Sequence, residues 1–161
     1  MSIEFSLKVK DNIVNENLLI NEINKLGVNA YVDKINEEED RFEIDSIHEP
    51  LGFSVIFIKN KKPPYNTWET KFLETDFQYN QIVWFEFDKE ADLSITQRNA
   101  LKIIFNLMKQ LNTSALLTSS VYDDICYFKN ATDVYINKDV ACLEKVRDMA
   151  LYDNNWRCFY S

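Results

Sequence analysis

The sequence predicts a single α+β domain over residues 1–161, with a largely antiparallel β-sheet and about three helices packed mainly on one face of it. Two kinds of pattern predict this fold class. Short segments through the middle of the chain have the two-residue alternation or the β-prone composition of strands, while others repeat apolar residues at helical spacing. With 46% hydrophobic and 27% charged residues, the chain has the composition of a globular protein that buries its own core.

The amino-terminal segment predicts a strand followed by a helix. In the strand, polar residues alternate with Ile3, Phe5, Leu7 and Val9. Asn15 is a good N-cap, and Val14 before it is placed to pack on Leu19 as a hydrophobic staple. We expect the helix over residues 16–26, where Gly27 supplies the left-handed residue that commonly ends a helix.

The central segment predicts further strands at residues 28–34, 42–47 and 53–58. A loop is expected over residues 59–64, because its two closing prolines cannot continue a central strand. Residues 65–80 mix aromatic and charged residues without a clean period. They predict no definite element.

The next strand and helix have the clearest patterns in the chain. Residues 82–89 alternate between two faces of a strand. One face carries Val83, Phe85 and Phe87, and the other carries Trp84, Glu86 and Asp88. Ser94 and Gln97 match a capping box, which predicts that a surface helix begins there. Its apolar stripe consists of Leu101, Ile104, Met108 and Leu111.

The carboxy-terminal segment predicts three more strands and a last helix. The strands are expected at residues 114–119, 124–130 and 133–139, with a hairpin joining the last two. Asp139 is expected to cap the final helix, which precedes an aromatic tail.

Net charge limits the classes of partner. Acidic residues outnumber basic residues by 26 to 18, which gives a formal net charge of −8. Nucleic acids and anionic membranes are disfavoured, because binding them requires clustered lysine and arginine, whereas a basic protein partner is favoured. The start of the chain lacks the basic and apolar regions of a secretory signal, so we expect a cytoplasmic protein. The oligomeric state is left open.

No residue pattern predicts catalysis, a cofactor or a metal site, and we expect a protein that is not an enzyme. The one histidine, His48, is expected in a loop without a catalytic partner. Residues 88–99 begin like a calcium loop, but Leu93 and Asn99 occupy the positions that need glycine and glutamate. The cysteines are too widely spaced for a local zinc motif and are expected to be buried free thiols.

The candidate partner-binding residues are acidic and aromatic. An acidic run, expected in a loop or at a hairpin tip, and the strand acids after it would steer a cationic partner. These residues are Glu37, Glu38, Glu39, Asp40, Glu43 and Asp45. Trp84 beside Glu86 is a candidate anchor, as are Tyr31 and Phe42 if they are exposed. A second layer over its face of the sheet would instead make Trp84 a core residue.

The chain also resembles a known family. The resemblance is carried by IVWFEFDKE, SITQRNALKIIFNLMKQLN and DDICYFKNATDVYINKD within residues 82–139, together with the amino-terminal MSIEFSLKV. Over about residues 1–140 the chain resembles small bacterial immunity proteins of polymorphic-toxin systems, similar to the swarming-inhibition immunity family. This resemblance implies a cytosolic, non-enzymatic protein that binds and neutralises a cognate toxin.

Two other classes of function remain open from the residues alone. The first is a binding or interaction module without catalysis. If such a module bound a small molecule, its aromatic residues would surround a cavity larger than about 300 Å³. The second is an enzyme, which would need carboxylates from distant segments to converge with His48 in one cleft.

Overall fold

Eleven strands and four α-helices make up the part of the chain that the structure describes. The computed structural model describes residues 3–120, 123–153 and 155–161, without the side chains of residues 152 and 153. The elements in chain order are β1 (Ile3–Val9), α1 (Glu16–Asn24), β2 (Lys34–Asn36), β3 (Arg41–Ile44), α2 (His48–Leu51), β4 (Phe53–Ile58), β5 (Thr67–Trp68), β6 (Phe77–Gln78), β7 (Gln81–Phe87), α3 (Leu93–Gln110), β8 (Ala115–Ser119), β9 (Asp124–Phe128), β10 (Asp133–Ile136), α4 (Leu143–Asp148) and β11 (Arg157–Tyr160). A π-helical segment, Met149–Asp153, follows α4.

Nine of the described strands form one sheet, in the order β11-β10-β9-β8-β1-β7-β4-β3-β2. Neighbouring strands are antiparallel except β10 and β11, which are parallel. The short strands β5 and β6 form a separate antiparallel pair. The predicted α+β class with a largely antiparallel sheet is confirmed.

The main hydrophobic core lies between one face of the sheet and the helices. Alternate residues of the central strands, among them Leu7 and Phe85, are fully buried in it. Leu19 and Ile23 of α1 pack there, together with most apolar residues of α3 and with Val146 of α4. The helices therefore cover mainly one face, as the apolar stripes predict.

The entry to α1 is fixed by side-chain hydrogen bonds. The Asn15 side chain accepts a hydrogen bond of 2.9 Å from the Leu18 N–H, so the predicted N-cap is confirmed. The amide of Gln81 on β7 pairs with both backbone groups of Val14, at 2.9 and 2.8 Å. Gly27, with a φ of 86°, follows the helix as expected, although the helix itself ends at Asn24.

Three predictions in the first two thirds of the chain are wrong. Residues 28–34 form no strand before Lys34, because side chains satisfy their backbone, as when Asn24 accepts from the Ala30 N–H at 2.7 Å. His48 is the first residue of the short helix α2 and not part of a loop. The N-cap of α3 is Asp92, whose carboxylate accepts from two N–H groups two and three residues later. An aspartate cap two residues before Ser94 lengthens the helix at its start.

The carboxy-terminal segment also differs from the prediction. The N-cap of α4 is Cys142 and not Asp139, whose N–H instead donates to the side chain of Asn137 at 3.0 Å in a turn. The aromatic tail contains an unpredicted strand, β11. Arg157 fixes it by donating two hydrogen bonds, of 2.7 and 2.8 Å, to the carboxylate of Asp133.

Candidate functional site

The face of the sheet turned away from α1 and α3, called here the open face, carries a row of polar and aromatic side chains. Across strands β8, β1, β7, β4 and β3 this row contains Thr118, Ser6, Trp84, Ile56 and Glu43. The adjacent row contains Leu116, Lys8, Ile82, Ile58 and Arg41. Antiparallel pairing therefore brings the polar side of β1 next to Trp84.

Residues 61–80, called here the strap, cross part of the open face. Phe77 and Tyr79 of the strap form a second hydrophobic cluster with Ile82 and Leu116 of the sheet. Trp84 is half-buried against this cluster. The strap is therefore the second layer that was considered for this face of the sheet, but it covers only part of the face and leaves Trp84 half-buried.

Hydrogen bonds hold the strap at its middle and at its carboxy-terminal end. Asp124 on β9 accepts from the Thr70 hydroxyl at 2.7 Å and from the Lys71 N–H at 2.9 Å. At the carboxy-terminal end, the backbone N–H of Asn80 donates to the carbonyl of Val9 at 2.9 Å. The strap is thus tied to β9 and to β1, the strand that carries Lys8.

Lys8 lies beneath the strap and is only 3% exposed. Its ammonium donates to the hydroxyls of Ser6 at 3.1 Å and Thr118 at 2.8 Å, and lies 4.0 Å from the centre of the Trp68 ring. Burial lowers the pKa of Lys8 to about 8, and the charges of Asp124 and Glu4 partly oppose that shift. At neutral pH the protein therefore holds a buried, charged lysine.

A pocket of about 470 Å³ opens beside Lys8, between the open face and the strap. Its walls include the aromatic rings of Tyr65, Trp68 and Trp84. Lys61 of the strap and Glu4 of β1 also line it. The cavity is of the size expected for a small-molecule site and combines apolar walls with a few charged groups.

The acidic run forms the turn of the β2–β3 hairpin, at the edge of the sheet. Glu37, Glu38 and Glu39 are exposed, and within the described residues none of them forms an ion pair. Asp40, with a φ of 50°, completes the turn and accepts from the Asn60 side chain at 3.0 Å. The predicted hairpin tip is confirmed.

The other two acids near the hairpin have basic neighbours. Glu43 lies 3.4 Å from the guanidinium of Arg41, and Asp45 lies 3.8 Å from the ammonium of Lys34. Their charges are therefore partly compensated, unlike those of Glu37, Glu38 and Glu39 in the turn.

A second acidic pair lies on the open face. Glu86 is exposed and stands directly opposite Glu4 across the β1–β7 ladder. The pKa of Glu4 is raised, first by burial and then by the nearby charge of Glu86, while Lys8 acts in the opposite sense. Glu4, which the sequence did not single out, therefore belongs to the same acidic surface as Glu86.

The remaining candidate side chains lie in different environments. Tyr31 is 59% exposed next to the hairpin, whereas Phe42 packs on Phe57 and is half-buried. His48 Nε2 lies 3.9 Å from a carboxylate oxygen of Asp88, and both side chains are well exposed at the surface. This pair does not lie in the pocket beside Lys8.

Lys8 and the strap are the parts of the site that sequence reasoning missed. The alternation of β1 predicts a half-buried strand whose polar side, including Ser6 and Lys8, meets water, but the strap buries that side. Aromatic residues concentrated in residues 65–80 were the one available signal, because they need an apolar surface to cover.

The described residues contain no group of three histidine, cysteine, aspartate or glutamate side chains able to hold a metal ion. Cys126 is buried, and Cys142 and Cys158 are half-buried, all as free thiols. Burial raises the pKa of each of these thiols. In the described part of the chain, no helix is long and apolar enough to span a membrane.

Comparison with known protein families identifies the group to which this chain is related. A family model described as SitI3-like matches residues 3–146, which include the strap, the hairpin and both acidic surfaces. The chain belongs to the SitI3-like family. Members of the SitI families are immunity proteins, in agreement with the resemblance found in the sequence.

A more distant similarity extends to a human protein. The protein named zinc finger C3H1 domain-containing protein, from Homo sapiens, is 28% identical over 129 residues. The aligned region covers 76% of this chain but 6% of the human protein, so the chain spans only a small part of that relative. No solved structure matches the chain.

Proposed function

We propose that this protein is an immunity protein that neutralises a cognate toxin by binding it in the cytoplasm, without catalysis of its own. Membership of the SitI3-like family is the observation that carries the proposal. An inhibitor of this kind needs a stable scaffold and a complementary surface, and the nine-stranded sheet supplies such a scaffold.

The proposed docking surface is the β2–β3 hairpin with its acidic turn. Glu37, Glu38 and Glu39 present uncompensated charge there, while Ile35 and Tyr31 are exposed by 60% and 59% beside it. Exposed apolar side chains surrounded by polar residues are typical anchors of protein interfaces. The remaining candidates, Asp40, Glu43 and Asp45, shape the turn and its flanks, since each has a partner within the chain.

Charge favours a basic toxin. The chain carries a net charge of −8, and complementary fields raise association rates by about 10 to 1,000-fold. The open-face acids Glu4 and Glu86 extend the negative surface beyond the hairpin, and Trp84 lies one row away from them. We place first contact at the turn, because Glu37, Glu38 and Glu39 are exposed and form no ion pair with any residue that the structure describes.

The proposal is tested by measuring whether this chain protects growing bacterial cells from the toxin. The reading frame next to this gene is expected to encode the toxin in its carboxy-terminal domain, and that domain is expressed from an inducible promoter in a bacterial host. Co-expression of this chain is expected to restore growth, whereas co-expression of a variant with Glu37, Glu38 and Glu39 replaced by lysine is expected to protect less. Failure of the wild-type chain to protect against the neighbouring toxin would overturn the proposal.

A further inference from the structure

We propose that the pocket between the strap and the open face binds a carboxylate group, with Lys8 as its anchoring residue. This inference rests on the geometry of the chain, and it depends on the proposed toxin binding only where the carboxylate belongs to the toxin. It assigns a ligand class to a cavity that the β2–β3 hairpin does not line.

The Lys8 ammonium lacks a paired negative charge. It has three N–H donors, and the hydroxyls of Ser6 and Thr118 accept hydrogen bonds from it. Among the described residues no carboxylate forms an ion pair with it. A buried cation without an ion-pair partner is costly, and a bound carboxylate would supply that partner.

The groups around Lys8 suit a carboxylate in detail. Each hydroxyl that accepts from Lys8 also carries a proton that it can donate, so Ser6 and Thr118 could donate to a bound carboxylate oxygen. Lys61 adds a second cation at the pocket wall. Hydrogen bonds between charged groups are about twice as strong as neutral ones, which favours an anion at this position.

The residues that line the pocket indicate the chemistry of the part of the ligand that lies beyond its carboxylate. Trp68, Trp84 and Tyr65 give the cavity aromatic surfaces, and its volume of about 470 Å³ exceeds what a bare anion needs. An organic acid with an apolar body, or the carboxylate-bearing side chain or terminus of a bound protein, fits this description. Glu4 also lines the pocket and repels a doubly charged anion such as phosphate more strongly than a singly charged carboxylate.

The protonation of Lys8 supports the same assignment. Its pKa of about 8 leaves the side chain mostly charged at pH 7 and close to losing its proton. The facing charged groups are Glu4 and Asp124, which favour the ammonium, and Lys61 at the pocket wall. Binding a carboxylate is expected to raise the pKa of Lys8, and affinity is expected to fall as pH rises above about 8.

The first arm of the test uses the chain by itself with sodium benzoate, followed by NMR of the lysine side chains. Benzoate is expected to shift the Lys8 signals selectively. Lys8→Met is expected to weaken benzoate binding by about tenfold or more, the loss of one charged hydrogen-bonding partner. Lys10→Met, which removes an exposed lysine two residues away, is the matched control and should leave binding unchanged. Inorganic phosphate that binds more tightly than benzoate would overturn the carboxylate assignment.

The second arm distinguishes a free acid from a carboxylate of a bound protein. If benzoate does not bind, the same two variants are compared for affinity towards the neighbouring toxin domain. A loss of about tenfold or more with Lys8→Met alone would assign the carboxylate to the partner. The proposal is wrong if benzoate fails to bind and Lys8→Met leaves toxin affinity unchanged or there is no toxin affinity to change. A chain that binds benzoate but not the toxin would overturn only the proposed function.

Discussion

At the scale of single residues, Lys8 places a charge where the fold gains little stability from it. Its side chain is 3% exposed, and burial lowers its pKa from the usual 10.5 to about 8. The native state therefore disfavours the ammonium more than the unfolded state does. Replacement of a buried charge by an apolar side chain of similar volume is often neutral or stabilising.

Lys8→Met is therefore expected to raise the free energy of unfolding at pH 7 by about 1–3 kcal/mol, since each unit of pKa corresponds to about 1.4 kcal/mol. Ser6 and Thr118, which stand directly opposite each other, can then hydrogen-bond to one another. The difference between the two proteins is expected to shrink between pH 8 and pH 10.5, because there the unfolded wild type binds a proton that its native state has released.

Urea unfolding across this pH range measures both effects. Lys10→Met again serves as the control, because Lys10 is exposed and should show neither effect. A Lys8→Met protein that is less stable than the wild type at pH 7 would show that the ammonium contributes more through its contacts than burial costs it.

The environment of Lys8 could not be predicted from β1 itself. Alternation identifies which side of a strand is apolar, and it placed Leu7 in the core correctly. Whether the polar side meets water depends on a segment some 60 residues away, and the pattern of that segment is irregular. The exposed acids of the turn, by contrast, were predictable because a run of four acids cannot be buried.

At the scale of elements, the junction of α2 and β4 depends on one glycine. Gly52 ends α2 with a φ of 77° and lies against α3, where an added Cβ would overlap the methyl group of Thr96. Gly27 after α1 has a similar φ of 86°, but an added Cβ there would meet no atom within 4 Å. The two glycines thus share a backbone conformation and differ in packing.

Gly52→Ala is expected to destabilise the protein more than Gly27→Ala by about 1–3 kcal/mol. Both alanines pay about 1–2 kcal/mol for the left-handed conformation, but only Gly52→Ala also forces apart packed elements. The measurement is the free energy of unfolding in urea for each variant. Equal losses would show that α3 adapts to the extra methyl group without cost.

Elements with strong local signals were predictable, and those defined by distant contacts were not. The strand at residues 53–58 is observed with the predicted bounds, and α1 begins at its predicted cap. The strand β11 pairs in parallel with β10 and is tied to it by Arg157 and Asp133, 24 residues apart in sequence. No local hydrophobic pattern in the sequence predicts such a long-range strand pairing.

At the scale of the whole molecule, the two faces of the sheet are covered by different parts of the chain. The helices pack against one face and bury it in the main core. The open face carries the strap, the pocket and the acids Glu4 and Glu86, and the hairpin extends its edge. The open face and its edge therefore carry both of the acidic surfaces described above.

Neutralising the turn is expected to slow association with the toxin. A variant with Glu37, Glu38 and Glu39 changed to glutamine should associate about tenfold more slowly at low salt, and its rate should depend less on salt. The charge-matched control changes Glu90, Asp139 and Glu144, which are exposed elsewhere, to their amides. Stopped-flow mixing measures both rates, and identical behaviour of the two triple variants would rule out steering by the turn.

The most direct test of the account is a titration of toxin activity in vitro. The purified domain from the neighbouring reading frame is assayed at a fixed concentration while the chain is added in increasing amounts. Neutralisation by binding predicts that activity falls linearly and reaches zero at one chain per toxin, and that intact toxin is recovered when the complex is dissociated. Full activity at a large excess of chain, or a toxin that is chemically altered by substoichiometric chain, would contradict it.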